Sequence, residues 1–345
     1  MDTGGRPDLL LICNIPPDSL ECPGWKRDKC MLTLVARRLA IGIGTLLGVS
    51  IIIFVATEIL PGDVATAILG QSATEENTAA IRAQLGLDRP PHERYIDWLV
   101  GFVQGDLGTS LGNRRPIAPQ VGFRLENTMF LAALAAVIAI PLSLSLGLIS
   151  AIRQDTPLDR GISVGSLMAI SVPEFFIGYV LIILFAVTFR LFPSLSNVSD
   201  QMTLWMRLEA MALPAVTLTL VTLAHMMRMT RAAVIAVMSS SYIEMAHLKG
   251  VRYWRIVVQH ALPNVWSPII TVIMLNMAYL IVGVVVVEVV FTYPGMGQYM
   301  VDSVSKRDVP VVQACVMIFA GVWILLTLIA DISSILANPR LRHPK

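Results

Sequence analysis

Apolar residues run almost without interruption through six stretches of the chain: Leu34–Ile59, Thr128–Ala151, Gly161–Phe189, Ala210–Met229, Trp266–Phe291 and Val311–Leu336. Crossing a hydrocarbon core takes about 20 apolar residues in a helix, and each stretch reaches that length. The pattern therefore predicts an all-α membrane protein with six transmembrane helices. The third and fifth stretches are long enough to tilt or to carry a kink. Pro141, Pro173 and Pro214 fall inside spans, where neighbouring helices can take up the freed carbonyls. Between the first two spans, Thr74 followed by Glu75, Glu76 and an apolar-periodic run to Leu85 predicts a capped helix ended by Gly86. After Pro90 and Pro91, a second helix over 93–103 is expected, with Ile96, Leu99, Val100 and Val103 on one face.

Composition agrees with the pattern. Of 345 residues, 55% are hydrophobic and 14% charged, with mean hydropathy +0.69. Soluble proteins carry about 25% charged residues. A net charge of +2 and the lack of a long Lys/Arg block give no footprint for nucleic acid. Cys13, Cys22 and Cys30 follow neither a zinc nor a CxxC redox spacing, and Cys315, inside an apolar run, reads as a small core residue. Residues 1–30 hold an apolar run too short to span, broken by Pro16 and Pro17. They are expected to be a disordered tail, or to be untranslated if Met31 is the functional start. The remaining divisions are 31–60 (first span), 61–127 (extracytoplasmic loop with short helices), 128–337 (transmembrane core) and 338–345 (cytosolic tail).

Basic residues set the orientation. Arg37, Arg38, Arg153, Arg160, Arg228, Arg231, Lys249, Arg252, Arg255, Arg340, Arg342 and Lys345 gather on one side. Only Arg190, Arg207, Lys306 and Arg307 occupy the short loops opposite. The positive-inside rule then places both termini in the cytoplasm of a multi-pass protein.

The cytosolic loop Arg231–Val265 carries the functional argument. Ser239, Ser240 and Ser241 offer cap oxygens for a helix running to Lys249, and Gly250 suits a left-handed C′ position. A second short helix, Arg252 to Ala261, is expected to stop at Pro263. Within this loop Glu244, Met245 and Ala246, then Gly250 after three residues, then His260, Ala261, Leu262 and Pro263 after nine more, resemble the EAA loop of binding-protein-dependent ABC permeases. That loop reads E-A-A-x3-G-x9-I-x-L-P; here Met245 and His260 depart from it while the spacing holds. The likeness extends from about Met31 to Arg342 and is nearest the dipeptide, oligopeptide and nickel permease family. Its further marks are Arg37, Arg38 and Leu39; Pro61 to Asp63; Leu85 to Asp88; Gly105 to Ser110; Phe291 to Gly297; Arg307 to Pro310; and Asn338 to Arg340, with Asn338 where Asp is usual.

The resemblance implies a type I ABC importer permease architecture with a cytosolic coupling helix, in a bacterial or archaeal inner membrane. It implies four kinds of partner: a second homologous permease subunit, two P-loop ATPase subunits, an extracytoplasmic solute-binding protein and the lipid bilayer. No cofactor is expected on this chain, ATP and magnesium being used by the ATPases. The coupling-loop residues are Glu244, Ala246, Gly250, Arg252, His260, Leu262 and Pro263. Solutes of related permeases include dipeptides, oligopeptides, opines, nickel chelates and oligosaccharides. The sequence itself holds no Gly-Lys pair and hence no P-loop, no zinc-protease helix and no nucleophile elbow, so no enzyme reading is supported. An ion-gradient-driven transporter or channel is the alternative; it predicts paired inverted repeats with broken helices, which the sequence does not display.

Three polar residues inside spans are candidates for the translocation path: Glu174, Asn276 and Glu288. A carboxylate at the centre of a span costs about 2.5–3.5 kcal/mol, so Glu174 faces protein or water. It either lines the pathway, meeting an ammonium group, or locks the kink at Pro173; Asn276 and Glu288 leave the same pair of readings open. Glu58 and Asp331, close to span ends, are expected to be structural.

Overall fold

Within a bilayer each backbone N–H and C=O must be satisfied internally, and a helix does so from local residues alone. The computed structural model describes residues 27–59, 66, 74–84, 88–199 and 201–337, and no strand occurs among them. Pro61 to Asp63, Leu85 to Leu87 and Asn338 to Arg340 lie outside the described residues, as do Cys13 and Cys22. The chain divides into two units, Met1–Gly44 and Thr45–Lys345. The described part of the first is helix alone, belonging to α1 (Arg27–Ile59), which begins four residues before Met31.

In the second unit, α2 (Glu75–Gln84) and α3 (Pro91–Val103) precede the long α4 (Ile117–Ile152). There follow α5 (Pro157–Ser171), α6 (Glu174–Leu181) with a wide π-type continuation over Ile182–Thr188, α7 (Leu204–Ala210) and α8 (Ala212–Met238). Next come α9 (Ser241–Leu248), the single turn α10 (Tyr253–Arg255) widening into a π segment Ile256–Ala261, and α11 (Leu262–Val290). The chain closes with α12 (Met296–Ser305) and α13 (Val309–Ala337).

Among the described residues four unbroken helices are long and apolar enough to cross a membrane, and there are six spans if each of two bent pairs is one span. The third stretch bends by 101° between Ser171 and Glu174. Pro173 has no N–H to continue the helix, and it forces Val172 to extended backbone, φ −97° and ψ 129°. The fifth bends by 49° between Trp266 and Pro268. Pro214 costs nothing in the first turn of α8, where no intrahelical N–H bond is lost. Two helices outrun their apolar stretches: α4 begins at Ile117 rather than Thr128, and α8 continues to Met238.

The core joins α4, α8 and α11 through Leu131, Ala135, Leu218, Leu280, Val284 and Phe291, all buried. Small residues bring α4 onto α8: a Cβ on Gly147 would stand 2.9 Å from the Met227 carbonyl oxygen and from Thr230 Cβ. Cys315 is buried against Ile117, Met296 and Val311. In α2, Thr74 Oγ1 accepts the Asn77 N–H at 3.3 Å, as its capping position predicts. In α3 the half-buried, inward face is aromatic. Tyr95 and Trp98 pack on Phe54, Tyr95 hydroxyl meets Ser50 Oγ at 2.8 Å, and Arg94 pairs with Glu58. The aliphatic face carrying Ile96, Val100 and Val103 is left outward.

Candidate functional site

The α8–α11 connection folds into a knob whose bend follows from local chemistry. Ile243, Ile256 and Ala261 form its small core, with Ala246 and Val251 packed against them. At the end of α9, Gly250 takes φ +72°, a conformation that costs a side chain about 1–2 kcal/mol. The Gly250 N–H donates to the His247 carbonyl at 2.9 Å and the Val251 N–H to the Ala246 carbonyl at 3.2 Å. That is a Schellman turn, complete with its apolar contact between Val251 and Ala246.

The remaining loop residues fall in distinct places. Glu244 and Arg252 are exposed on either side of the bend, while Ala246 is half-buried inside it. His260 and Pro263 are exposed and Leu262 half-buried at the junction with α11. Two expectations are corrected here. Ser240 does occupy the N-cap of α9, but its hydroxyl makes no cap bond and donates back to the Val237 carbonyl at 2.5 Å. Pro263 does not stop the second helix: it stands in the first turn of α11, and the helical path continues to the bend at Trp266. The π-type widening over Ile256–Ala261 precedes the proline and makes room for a ring that would clash in regular α-helix.

The sequence reading missed the knob's outermost residues. Leu248 is 76% and Trp254 70% exposed, with Met245 beside them at 54%. Lys249, Arg252 and Arg255 surround them, so the tip is apolar with a basic rim. Such protruding apolar side chains mark a protein contact. The signal available was a Leu and a Trp flanking the turn glycine, which helical periodicity scores merely as apolar positions.

The three intramembrane candidates differ sharply. Glu288 is wholly enclosed. Thr128 Oγ1 donates to its Oε1 at 2.5 Å, and the N–H groups of Gly297 and Gln298 donate to Oε2 at 2.7 and 3.1 Å. It thus anchors the start of α12, where an acceptor also suits the helix dipole; no atom of it faces an open path in this conformation. Asn276 is nearly buried, and its Nδ2 donates back to the Val272 carbonyl at 2.8 Å. Glu174 is half-exposed, at the first residue of α6 beyond the break. Its Oε2 lies 3.2 Å from where a Cβ on Gly283 would be, so α11 carries no side chain there to cover the carboxyl.

At the other end of the bundle, segments far apart in sequence meet. Asp308 accepts from the Ser110 hydroxyl and from the N–H groups of Leu111 and Gly112, at 2.5, 3.0 and 3.1 Å. Asn127 Oδ1 accepts from Arg207 at 2.8 Å, and the Tyr293 hydroxyl donates to the Asn127 carbonyl at 2.9 Å. Burial pushes the Tyr293 phenol up from its ordinary range, which keeps its hydroxyl a donor.

Comparison with known proteins bears on the same segments. A family model described as binding-protein-dependent transport system inner membrane component matches residues 143–343, and the N-terminal model of such membrane components matches 31–147. The chain is similar to a probable peptide ABC transporter permease of Sinorhizobium fredii, 34% identical over 90% of this chain and 99% of that protein. It is similar to the dipeptide transport system permease of Escherichia coli, 32% identical over 91% of this chain and all of the relative. The glutathione transport system permease of Escherichia coli is 36% identical over the same two shares.

Proposed function

The chain belongs to the binding-protein-dependent inner membrane transport components, and from that membership we propose that it forms half of a translocation pathway importing peptides or similarly small solutes. It is the permease subunit of an ATP-driven ABC importer. Peptides are the proposed cargo because the similar permeases are named for peptides, dipeptides and glutathione. The proposed assembly adds a second homologous permease, two P-loop ATPases carrying ATP and magnesium, and an extracytoplasmic binding protein. In this reading both termini and the knob are cytosolic, in keeping with the basic residues of the loops. This chain performs no chemistry; hydrolysis belongs to the ATPases.

One observation carries the coupling role: the family-like loop ends in a rigid Schellman turn at Gly250 with Leu248 and Trp254 projecting from it. Glu244, Ala246, Gly250, Arg252, His260, Leu262 and Pro263 shape or flank that surface. Loaded binding protein docks outside, closure of the ATPases carries the knob with them, and the helices rock to open inward. Glu174 is the proposed contact along the path, whereas Glu288 and Asn276 hold the scaffold.

Detergent pull-down of the natural complex tests this. Wild type is expected to recover P-loop ATPases, and Gly250→Asp and Glu244→Lys to lose them while remaining in the membrane. No ATPase from a genuine membrane extract, together with uptake that outlasts ATP depletion and collapses with an uncoupler, would replace this reading with a gradient-driven one.

A further inference from the structure

An ion pair with a buried carboxylate ties together three helices. Asp159, in the first turn of α5, is 3% exposed. Arg231 of α8 grips it with two N–H groups, Nε to Oδ1 and Nη2 to Oδ2, both at 2.8 Å. The same Nε reaches Ser150 Oγ near the end of α4 at 3.1 Å, and the Ser150 hydroxyl in turn donates to Asp159. The Asp155 N–H closes the α4–α5 turn onto Oδ2 at 3.0 Å. A second tie comes from the knob. The Tyr253 hydroxyl donates to the carbonyl of Ile152, the last residue of α4, at 3.3 Å. The turn over residues 152–159 is thus held by α8 on one side and by the knob on the other.

We propose that Asp159, Arg231 and Tyr253 form the joint through which displacement of the knob reaches the broken third span, making them positioning residues of the transport cycle. The inference rests on the coupling reading of the knob. A bidentate guanidinium–carboxylate pair fixes angle as well as distance, which an apolar contact or one hydrogen bond does not. The Asp159 side chain is 4% exposed and that of Arg231 27%, so the carboxylate end is the one shielded from water and salt. Arg231 lies two turns before the end of α8, and α9 starts after the short turn at Ser239 and Ser240, so displacement of the knob reaches Arg231 through that turn and the last two turns of α8. From Asp159, α5 leads after twelve residues to the 101° break that follows Ser171, with Glu174 opening the next helix. A rigid grip at one end of α5 is therefore converted into movement of the carboxyl at the other. A clamp serving stability alone would lower thermal stability in its variants and leave the transmitted motion intact.

The test uses the whole reconstituted complex, in a background with the native cysteines replaced. Spin labels at Gln259 in the knob and Ile183 beyond α6 are each paired with a reference label at Val103. Distances are measured without nucleotide and after trapping with ATP and vanadate. In wild type both labels are expected to shift. In Asp159→Asn the knob shift should persist while the Ile183 shift falls at least twofold. Tyr253→Phe, which removes one hydroxyl, guards against misfolding and should show the same split more weakly. The reciprocal exchange Asp159→Arg with Arg231→Asp should restore part of the Ile183 shift. A full Ile183 shift in both single variants would overturn the joint and leave the coupling reading standing. A wild-type knob that stays still under vanadate would overturn both.

Discussion

Replacing Gly295 by Ala should destabilise the outer end of the bundle through a single clash. Gly295 has φ −96° and ψ −177°, extended backbone open to any residue, so no strain enters from the main chain. The new Cβ would stand 2.0 Å from Glu288 Oε1 and 2.1 Å from Cδ. The carboxyl must leave, and with it goes the acceptor for the Thr128 hydroxyl and for the Gly297 and Gln298 N–H groups. A buried donor left unmet costs about 1–3 kcal/mol; with some relaxation, roughly 3 kcal/mol in all is expected. At about 2–4 °C per kcal/mol, the midpoint should fall by on the order of 10 °C. Thermal denaturation in detergent, followed by size-exclusion chromatography, reads this directly. The sharper measurement is a double-mutant cycle. In a Glu288→Ala background the clash partner is gone, so Gly295→Ala should add no more than about 0.5 kcal/mol. Gly297→Ala behaves differently, because its Cβ would meet Val285 Cα at 2.7 Å and backbone cannot step aside. It should stay harmful with or without Glu288. Additive losses for Gly295→Ala and Glu288→Ala, or equal rescue of both glycine variants, would refute the geometry.

Two further outcomes follow. Asp308→Ala removes the acceptor shared by Ser110, Leu111 and Gly112; a loss of about 2 kcal/mol of local stability is expected, visible as faster limited proteolysis across residues 106–116. Glu174→Gln should lower uptake without lowering membrane abundance, and unchanged uptake would remove Glu174 from the path.

What could be read in advance divides by the range of the chemistry involved. The Gly250 turn was legible because a Schellman closure uses six consecutive residues, here 246–251. The break at Pro173 was legible because proline acts on its own helix, although its angle was not. Pro263 misled for a related reason: the same rule holds only when the preceding turn is regular, and the π widening before it is invisible in residue types. Glu288 read as a pathway candidate because its principal side-chain donor, Thr128, lies 160 positions away. Arg231 counted as one more cytosolic positive charge, and nothing local distinguished it from Arg228. Its partner Asp159 becomes evident only once α4, α5 and α8 are assembled.

The 101° break has a consequence for the life of the protein in the cell. Beyond it, Glu174 and Phe175 begin a new helix, so their N–H groups have no intrahelical acceptor, and the last carbonyls of α5 are left likewise. Lipid offers these groups nothing. Phe175, Phe176 and Tyr179 are exposed beside them. Unpaired backbone groups at the break are costly wherever lipid rather than protein or water lies against them. A second protein surface laid over the break would give these groups partners, and the pulse-chase half-life of this chain is expected to lengthen when the permease subunit proposed to pair with it is made alongside it.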